Sequence, residues 1–189
     1  MPLNSDVEVS VAKQRARVQL KDIRAGLSPS RRKQAQEALE AELYRKLSTY
    51  SAILSFYSLP EEIDTSGLNQ KLALEGRLYL PRVEGMQLHF YHVTDLKAQL
   101  TQTGSYLFEP DNEKCMRCDP YQLDCALIPG LGFDLENYRL GYGKGYYDRL
   151  LEGEGERFFS VGIAFYEQLA LEALPRETHD KPVKALFLV

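Results

Sequence analysis

Between Arg139 and Asp148 the chain reads RLGYGKGYYD, which places a guanidinium, an ammonium, a carboxylate and alternating glycines within one short stretch. Gly141, Gly143 and Gly145 occupy every second position, so backbone N–H groups can converge on an anion with no Cβ atoms in the way. Arg139 and Lys144 add positive charge to the same place. Tyr146 to Leu151 then reads as the first turns of a helix, whose free N–H groups and dipole point back at the loop. The chemistry this combination predicts is phosphate binding. The spacing is neither G-x-x-x-x-G-K-[ST] nor G-x-G-x-x-G, since Tyr146 stands where the third glycine of the latter belongs. The same glycines would also serve a turn that needs several positive φ angles, but the flanking Arg, Lys, Tyr and Asp favour a site.

Other chemistry-bearing residues are scattered. Lys13 and Arg17 are four apart and share one helical face, where they either reach a phosphate chain or form a solvated basic face. Arg82, at the end of an apolar run, is either a partner for an acidic group or a solvated arginine. His89 and His92 fall on opposite faces of a strand and cannot form one site. Cys115 and Cys118 have a zinc-like spacing, but a structural site wants four ligands, and only Cys125 and the distant His179 follow. Nor does the pair carry the surrounding elements of a redox dithiol.

PGLGFD followed by RLGYGKGYYDRLL resembles the signature of the 5-formyltetrahydrofolate cyclo-ligase (5,10-methenyltetrahydrofolate synthetase) family, and the similarity runs over nearly the whole chain. KQRAR resembles that family's N-terminal K-x-x-x-R, EEIDT its acidic loop after the first strand, YLPRV its second strand, and VGIAFYEQL a later strand and glutamine. The resemblance implies an enzyme that uses ATP and Mg²⁺ to convert 5-formyltetrahydrofolate to 5,10-methenyltetrahydrofolate. In the family the formyl oxygen attacks the γ-phosphate, and N10 then closes the N5-iminium phosphate with loss of phosphate. It further implies that Lys13, Arg17, Arg139, Leu140, Gly141, Tyr142, Gly143, Lys144, Gly145, Tyr146 and Tyr147 hold ATP. Lys144, Arg139 and Tyr146 would then be the catalytic residues. Tyr57, Glu62 and the loop from Tyr142 to Tyr146 would hold the folate, and Asp148 and Asp180 the metal. Phosphoryl transfer works mainly through positioning and charge neutralisation, so no protein nucleophile is expected. Two positions depart from the pattern: Asn137 replaces a usual glycine, and Lys184 stands where many members are acidic. Asn tolerates a left-handed conformation, so the turn is expected to survive.

These residues need a scaffold. Asp124 to Ile128, closed by Pro129-Gly130, suits a buried parallel strand. Val7 to Ala25 reads as a mostly exposed helix ended by Gly26, and Ser28-Pro29 as the capped start of a second helix running to about Ser48. Ala35, Leu39, Leu43 and Leu47 give that helix one apolar stripe. Ala52 to Tyr57 reads as the first strand, followed by a helix from Thr65 to about Glu75. Arg77 to Arg82 reads as a strand ended by Pro81, and Gln87 to Val93 as another. A short helix is expected from Thr94 to about Leu100. Phe158 to Ala164 reads as a strand, Phe165 to Leu174 as a helix, and Val183 to Val189 as the last strand. Strands and helices alternate, which predicts a single three-layer α/β/α domain over residues 1–189 around a largely parallel, Rossmann-like sheet.

With 189 residues the chain suits one domain with a full core, and its net charge of −4 gives no reason to expect a nucleic-acid surface. No run approaches the ~18 apolar residues of a membrane span, and MPLNSDVEVS lacks an apolar targeting core. Three cysteines do not make a disulfide framework. A cytoplasmic monomer acting on small molecules is expected. Fold alone would also admit a sugar-phosphate isomerase or CoA-transferase relative, and a regulator that binds folate or nucleotide without turnover is a competing reading.

Overall fold

A computed structural model describes residues 6–189; Met1 to Ser5, and with them the start of MPLNSDVEVS, lie outside the described residues. Helix α1 (Asp6–Ala25) is followed by α2 (Pro29–Ala38), a π turn (Leu39–Leu43) and α3 (Tyr44–Lys46), which run on without a break into a 3₁₀ turn ending at Thr49. Ser28 caps α2 by accepting the Arg31 N–H. The π turn has a cause in the sequence. A stripe at every fourth residue drifts by about 40° per step on a helix of 3.6 residues per turn. A wider π turn takes back that drift, and Ala35, Leu39, Leu43 and Leu47 all stay buried on one line.

Strands β1 (Ile53–Leu54), β2 (Leu78–Glu84) and β3 (Gln87–His92) come next, with α4 (Ser66–Leu74) between the first two. β4 (Leu100–Gln102) and β5 (Phe108–Pro110) form a hairpin, followed by β6 (Met116–Cys118), β7 (Cys125–Pro129), β8 (Gly132–Asp134) and β9 (Arg139–Leu140). The chain closes with α5 (Tyr146–Glu154), β10 (Phe159–Ala164), β11 (Leu169–Ala170) and β12 (Ala185–Leu188). The main sheet has the order β12-β10-β7-β1-β2-β3-β6. It is parallel from β12 to β2 and antiparallel at β3 and β6. Residues of β7 alternate between two cores. Leu127 packs with Leu39, Leu43, Leu68 and Leu72 on one face, while Ala126 and Ile128 pack with Leu150 and Leu151 of α5 on the other. The expected three layers follow from this alternation. A small sheet β11-β8-β9 packs Leu131 and Leu140 against Leu20 of α1 and so brings that helix over the carboxyl ends of the parallel strands.

Four expected elements differ. Only Ile53 and Leu54 of the first strand pair, although the run from Ala52 to Phe56 is buried throughout. Pro81 does not end its strand, which continues to Glu84 with Pro81 opposite Phe90. Alternation puts the Pro81 nitrogen on the edge facing β1, which has already stopped at Leu54, so no ladder bond is lost. Further along that edge the Val83 N–H is taken by the Glu109 carboxylate. Thr94 to Leu100 forms a turn instead of a helix, because the Asp95 carboxylate takes the N–H groups of Lys97 and Ala98 while Leu100 already pairs with Pro110. Phe165 to Leu174 is a 3₁₀ turn followed by β11. There the Gln168 amide accepts the Phe165 N–H and donates to the Gly130 and Leu131 carbonyls, and β11 pairs with β8. Tertiary pairing overrides the helical pattern.

Candidate functional site

The carboxyl ends of β1 and β7, the start of α5, one face of α1 and the segment 177–180 enclose a cleft of about 400 Å³. Every site residue assigned from the sequence lines it: Lys13, Arg17, Tyr57, Glu62, Arg139, Leu140, the whole run from Gly141 to Asp148, and Asp180. Several other lining groups were not assigned to the site from the sequence: Phe108, Glu109, Glu177 and His179, the last weighed there only as a zinc ligand.

The glycine loop takes its shape from left-handed backbone at Gly143 and Gly145, with φ of 97° and 66°. A Cβ at Gly141 would come within 2.5 Å of the Arg139 guanidinium, so this glycine provides room for a side chain rather than a turn. The N–H groups of Gly141 to Gly145 have no acceptor among the described residues, which leaves the loop's donors available to an anion. Gly145 precedes the first residue of α5, so that helix starts at the cleft.

Cations in the cleft fall into two sets. Lys13, buried on α1, lies 2.6 Å from Asp180 and 2.5 Å from Glu177, and Arg139 lies 2.8 Å from Asp148. Arg17 donates only to the Gly141 carbonyl at 2.9 Å, and the exposed Lys144 side chain has no ion pair among the described residues. Two positive charges are therefore neutralised by carboxylates and two are not. Asp148, assigned to the metal, is held by Arg139, and across the cleft Glu177, His179 and Asp180 bring ligand atoms within 4.8 Å of one another. The carboxylates of Asp148, Glu177 and Asp180 are the hard oxygen donors a Mg²⁺ ion prefers, so the residues present fit that ion.

The other end of the cleft is apolar, lined by Phe56, Tyr57, Leu59, Pro81, Val83, Leu88, Leu107 and Phe108. Tyr57 and Phe108 lie 5.2 Å apart with rings tilted by 41°. Glu62 stands beside them. Its Oε2 accepts the Leu59 N–H at 2.9 Å and its Oε1 the Tyr142 hydroxyl at 2.8 Å. Burial pushes its pKa up, opposed by those hydrogen bonds and by the nearby Arg24. Tyr142 and Tyr147 are both pushed up, mainly by burial and then by the charge of Glu62.

Asp134 is the residue that sets the charged end in place. One buried carboxylate accepts the N–H groups of Glu136, Tyr138 and Leu174 and pairs with Arg176 at 2.8 Å. It fixes both the turn that presents Arg139 and the segment that carries Glu177 and Asp180 into the cleft. Asn137, in that turn, has φ of 66°, the left-handed conformation expected of it.

Other sequence candidates have structural jobs. Arg82 donates to the Pro110 carbonyl and does not line the cleft. Lys184 donates to the Glu156 and Phe158 carbonyls. Cys115, Cys118 and Cys125 are free and buried, and burial pushes the Cys118 thiol up to about 11 and the Cys125 thiol to about 12. Such thiols stay protonated at neutral pH and are poor ligands or nucleophiles.

A family model described as the 5-formyltetrahydrofolate cyclo-ligase family matches residues 9–188. The chain is 28% identical over 179 residues to a 5-formyltetrahydrofolate cyclo-ligase of Haemophilus influenzae, covering 90% of this chain and 94% of that one. The structure superimposes on the NMR structure of Aquifex aeolicus 5,10-methenyltetrahydrofolate synthetase with a TM-score of 0.80, at 33% identity over 93% of this chain and 89% of that one. A second synthetase structure, from Mycoplasma pneumoniae, has a TM-score of 0.73 over 92% of this chain and 96% of that one; at 23% identity it speaks to the fold alone.

Proposed function

The chain belongs to the 5-formyltetrahydrofolate cyclo-ligase family, and from that premise we propose that it converts 5-formyltetrahydrofolate to 5,10-methenyltetrahydrofolate, consuming ATP in the presence of Mg²⁺. The observation that carries this reading is the convergence of every sequence-assigned residue on one cleft with a charged and an apolar end.

Arg17 and Lys144, the two cations without carboxylate partners, meet the triphosphate, and the free N–H groups of Gly141 to Gly145 cradle it. Lys13 and Arg139 join them by exchanging carboxylate for phosphate. Asp148 and Asp180 hold the Mg²⁺, with Glu177 beside Asp180. That ion, when bound, neutralises phosphate charge. The pterin lies against Tyr57 and Tyr146, and its N–H edge donates to Glu62. The formyl oxygen, held in line, attacks the γ-phosphorus and ADP departs. N10 then attacks the iminium carbon and gives up its proton to the departing phosphate or to water, the C–O bond to phosphate breaks, and the methenyl ring closes. Lys144 and Arg139 stabilise the charge that develops on the transferred group, and Tyr146 keeps the reacting carbon facing it.

The protein acts as a monomer on two small molecules, and its three unpaired thiols suit the reducing cytoplasm. The test is to mix the protein with 5-formyltetrahydrofolate and Mg²⁺, with and without ATP, and follow the near-ultraviolet absorbance of the methenyl product. An ATP-dependent rise is expected. Calorimetric binding of both ligands with no product would instead establish a binding protein.

A further inference from the structure

Tyr142 sits on the glycine loop between Gly141 and Gly143, yet its hydroxyl is held at the apolar end of the cleft. It donates to Glu62 Oε1 at 2.8 Å and accepts from Arg24 Nη2 at 2.9 Å. Arg24 is only 2% exposed and lies seven residues beyond Arg17, two turns along the face of α1 that also carries Lys13. Its Nη2 is also 3.4 Å from Glu61 and its Nη1 is 3.9 Å from Glu62, while Nε and Nη1 have no hydrogen-bond partner. A guanidinium buried with two nitrogens unpaired is expensive for the fold. What it does locally is specific: by donating to the Tyr142 oxygen it turns the Tyr142 proton onto Glu62.

We infer that Arg24 is a positioning residue for a latch, Arg24–Tyr142–Glu62, that ties the glycine loop to the carboxylate at the other end of the cleft and makes nucleotide and folate bind with positive coupling. The inference rests on the proposed assignment of Glu62 to the pterin and of the loop to phosphate. Glu62 has both oxygens engaged, Oε2 by the Leu59 N–H and Oε1 by Tyr142. A pterin edge that donates two N–H groups competes with Tyr142 for Oε1. Once displaced, Tyr142 no longer restrains Gly141 and Gly143, and their unpaired N–H groups are free to settle on phosphate. Linkage then requires the converse, that phosphate on the loop draws Tyr142 from Glu62 and eases folate binding by the same factor.

Calorimetric titration of a non-hydrolysable ATP analogue with Mg²⁺, with and without saturating 5-formyltetrahydrofolate, measures this factor. In the wild-type protein the folate is expected to tighten nucleotide binding roughly 5- to 10-fold, within the usual range of coupling between sites. Tyr142→Phe keeps the ring and removes the latch. It should bind the nucleotide without folate about as tightly as the wild type does with it, and its factor should fall to about one. Arg24→Lys should keep part of the factor, and Arg24→Met should lose it. A Tyr142→Phe protein with the wild-type factor, or a wild-type protein that binds both ligands independently, overturns the latch alone. Failure of the wild type to bind either ligand overturns the reading of the cleft, and the latch with it.

Discussion

The two ends of the cleft recognise by opposite physical means. At the charged end Lys13 and Arg139 pair with Glu177, Asp180 and Asp148 and can exchange those partners for a ligand's, while Arg17 and Lys144 have no carboxylate partner among the described residues. At the apolar end aromatic and aliphatic side chains surround Glu62, whose carboxylate is destabilised by its own burial. Under the proposed function, affinity at the first end comes from the two unpaired cations and from exchanging existing ion pairs, and is sensitive to screening. At the second it comes from desolvation and shape, with one charge-assisted contact for orientation. The contrast explains why the loop is glycine-rich and open while the apolar end is walled by aromatic and aliphatic side chains.

The sharpest way to break this comparison is to remove Lys144, one of the two cations without a carboxylate partner among the described residues. Lys144→Ala should lower kcat/KM by roughly 100-fold or more, the scale of losing one charge-stabilising donor in a transition state. Its melting temperature should stay within about 2 °C, because surface side chains without partners contribute little to stability. Near-normal kcat/KM in that variant would refute the role assigned to Lys144.

Next in size is Glu62→Gln, which should raise KM for the folate by about 10- to 100-fold through loss of a charged acceptor, with KM for ATP changing far less. The same variant tests the electrostatics. The Glu62 pKa is raised above its ordinary value of 4.5, so protonation is favoured by folding. Stability conferred by the protonated form is fully present below the ordinary value and is lost as pH rises through the raised one. Wild-type stability minus that of Glu62→Gln should therefore fall as pH rises from 4.5 toward neutrality. A flat or rising difference in denaturant titrations would mean that Arg24 and Tyr142 outweigh burial.

Smaller still is the effect of salt. Raising ionic strength from about 0.05 to 0.5 M shortens the screening length several-fold, and KM for ATP should rise more than KM for the folate, by about 3- to 10-fold. Equal responses would mean that the charged end does not hold the nucleotide.

How much of this could be read from the chain follows the same division. The charged end was legible because its residues are special: alternating glycines, a helix start, and cations at helical spacing. The main strands and the buried stripe of α2 were legible because hydrophobic periodicity is a local property. Arg24 was not, since on α1 it looks like one more exposed charge until Tyr142 and Glu62 arrive from distant segments. Phe165 to Leu174 failed for a related reason, because the Gln168 side chain ties its start to the Gly130 and Leu131 carbonyls and Asp134 takes the Leu174 N–H from a distant segment. Pro81 misled because the consequence of a missing N–H depends on whether a neighbouring strand is still alongside, and β1 is not.

The turn between β8 and β9 offers the smallest test and joins both lessons. Asn137 holds φ of 66° and its carbonyl accepts the Val183 N–H, so the conformation is needed but the side chain does nothing at the cleft. Asn137→Gly relieves the left-handed backbone while adding entropy to the unfolded chain, and the two effects should nearly cancel. Its melting temperature should move by no more than about 2 °C. Asn137→Val puts a β-branched residue where φ is positive, at a cost of about 1–3 kcal/mol, or roughly 2–10 °C. If that strain is absorbed by shifting the turn, Arg139 moves with it, and kcat should fall by a modest factor while KM for the folate stays fixed. A loss confined to folate affinity would mean that the turn supports the apolar end, and that the two ends are not as separate as their chemistry implies.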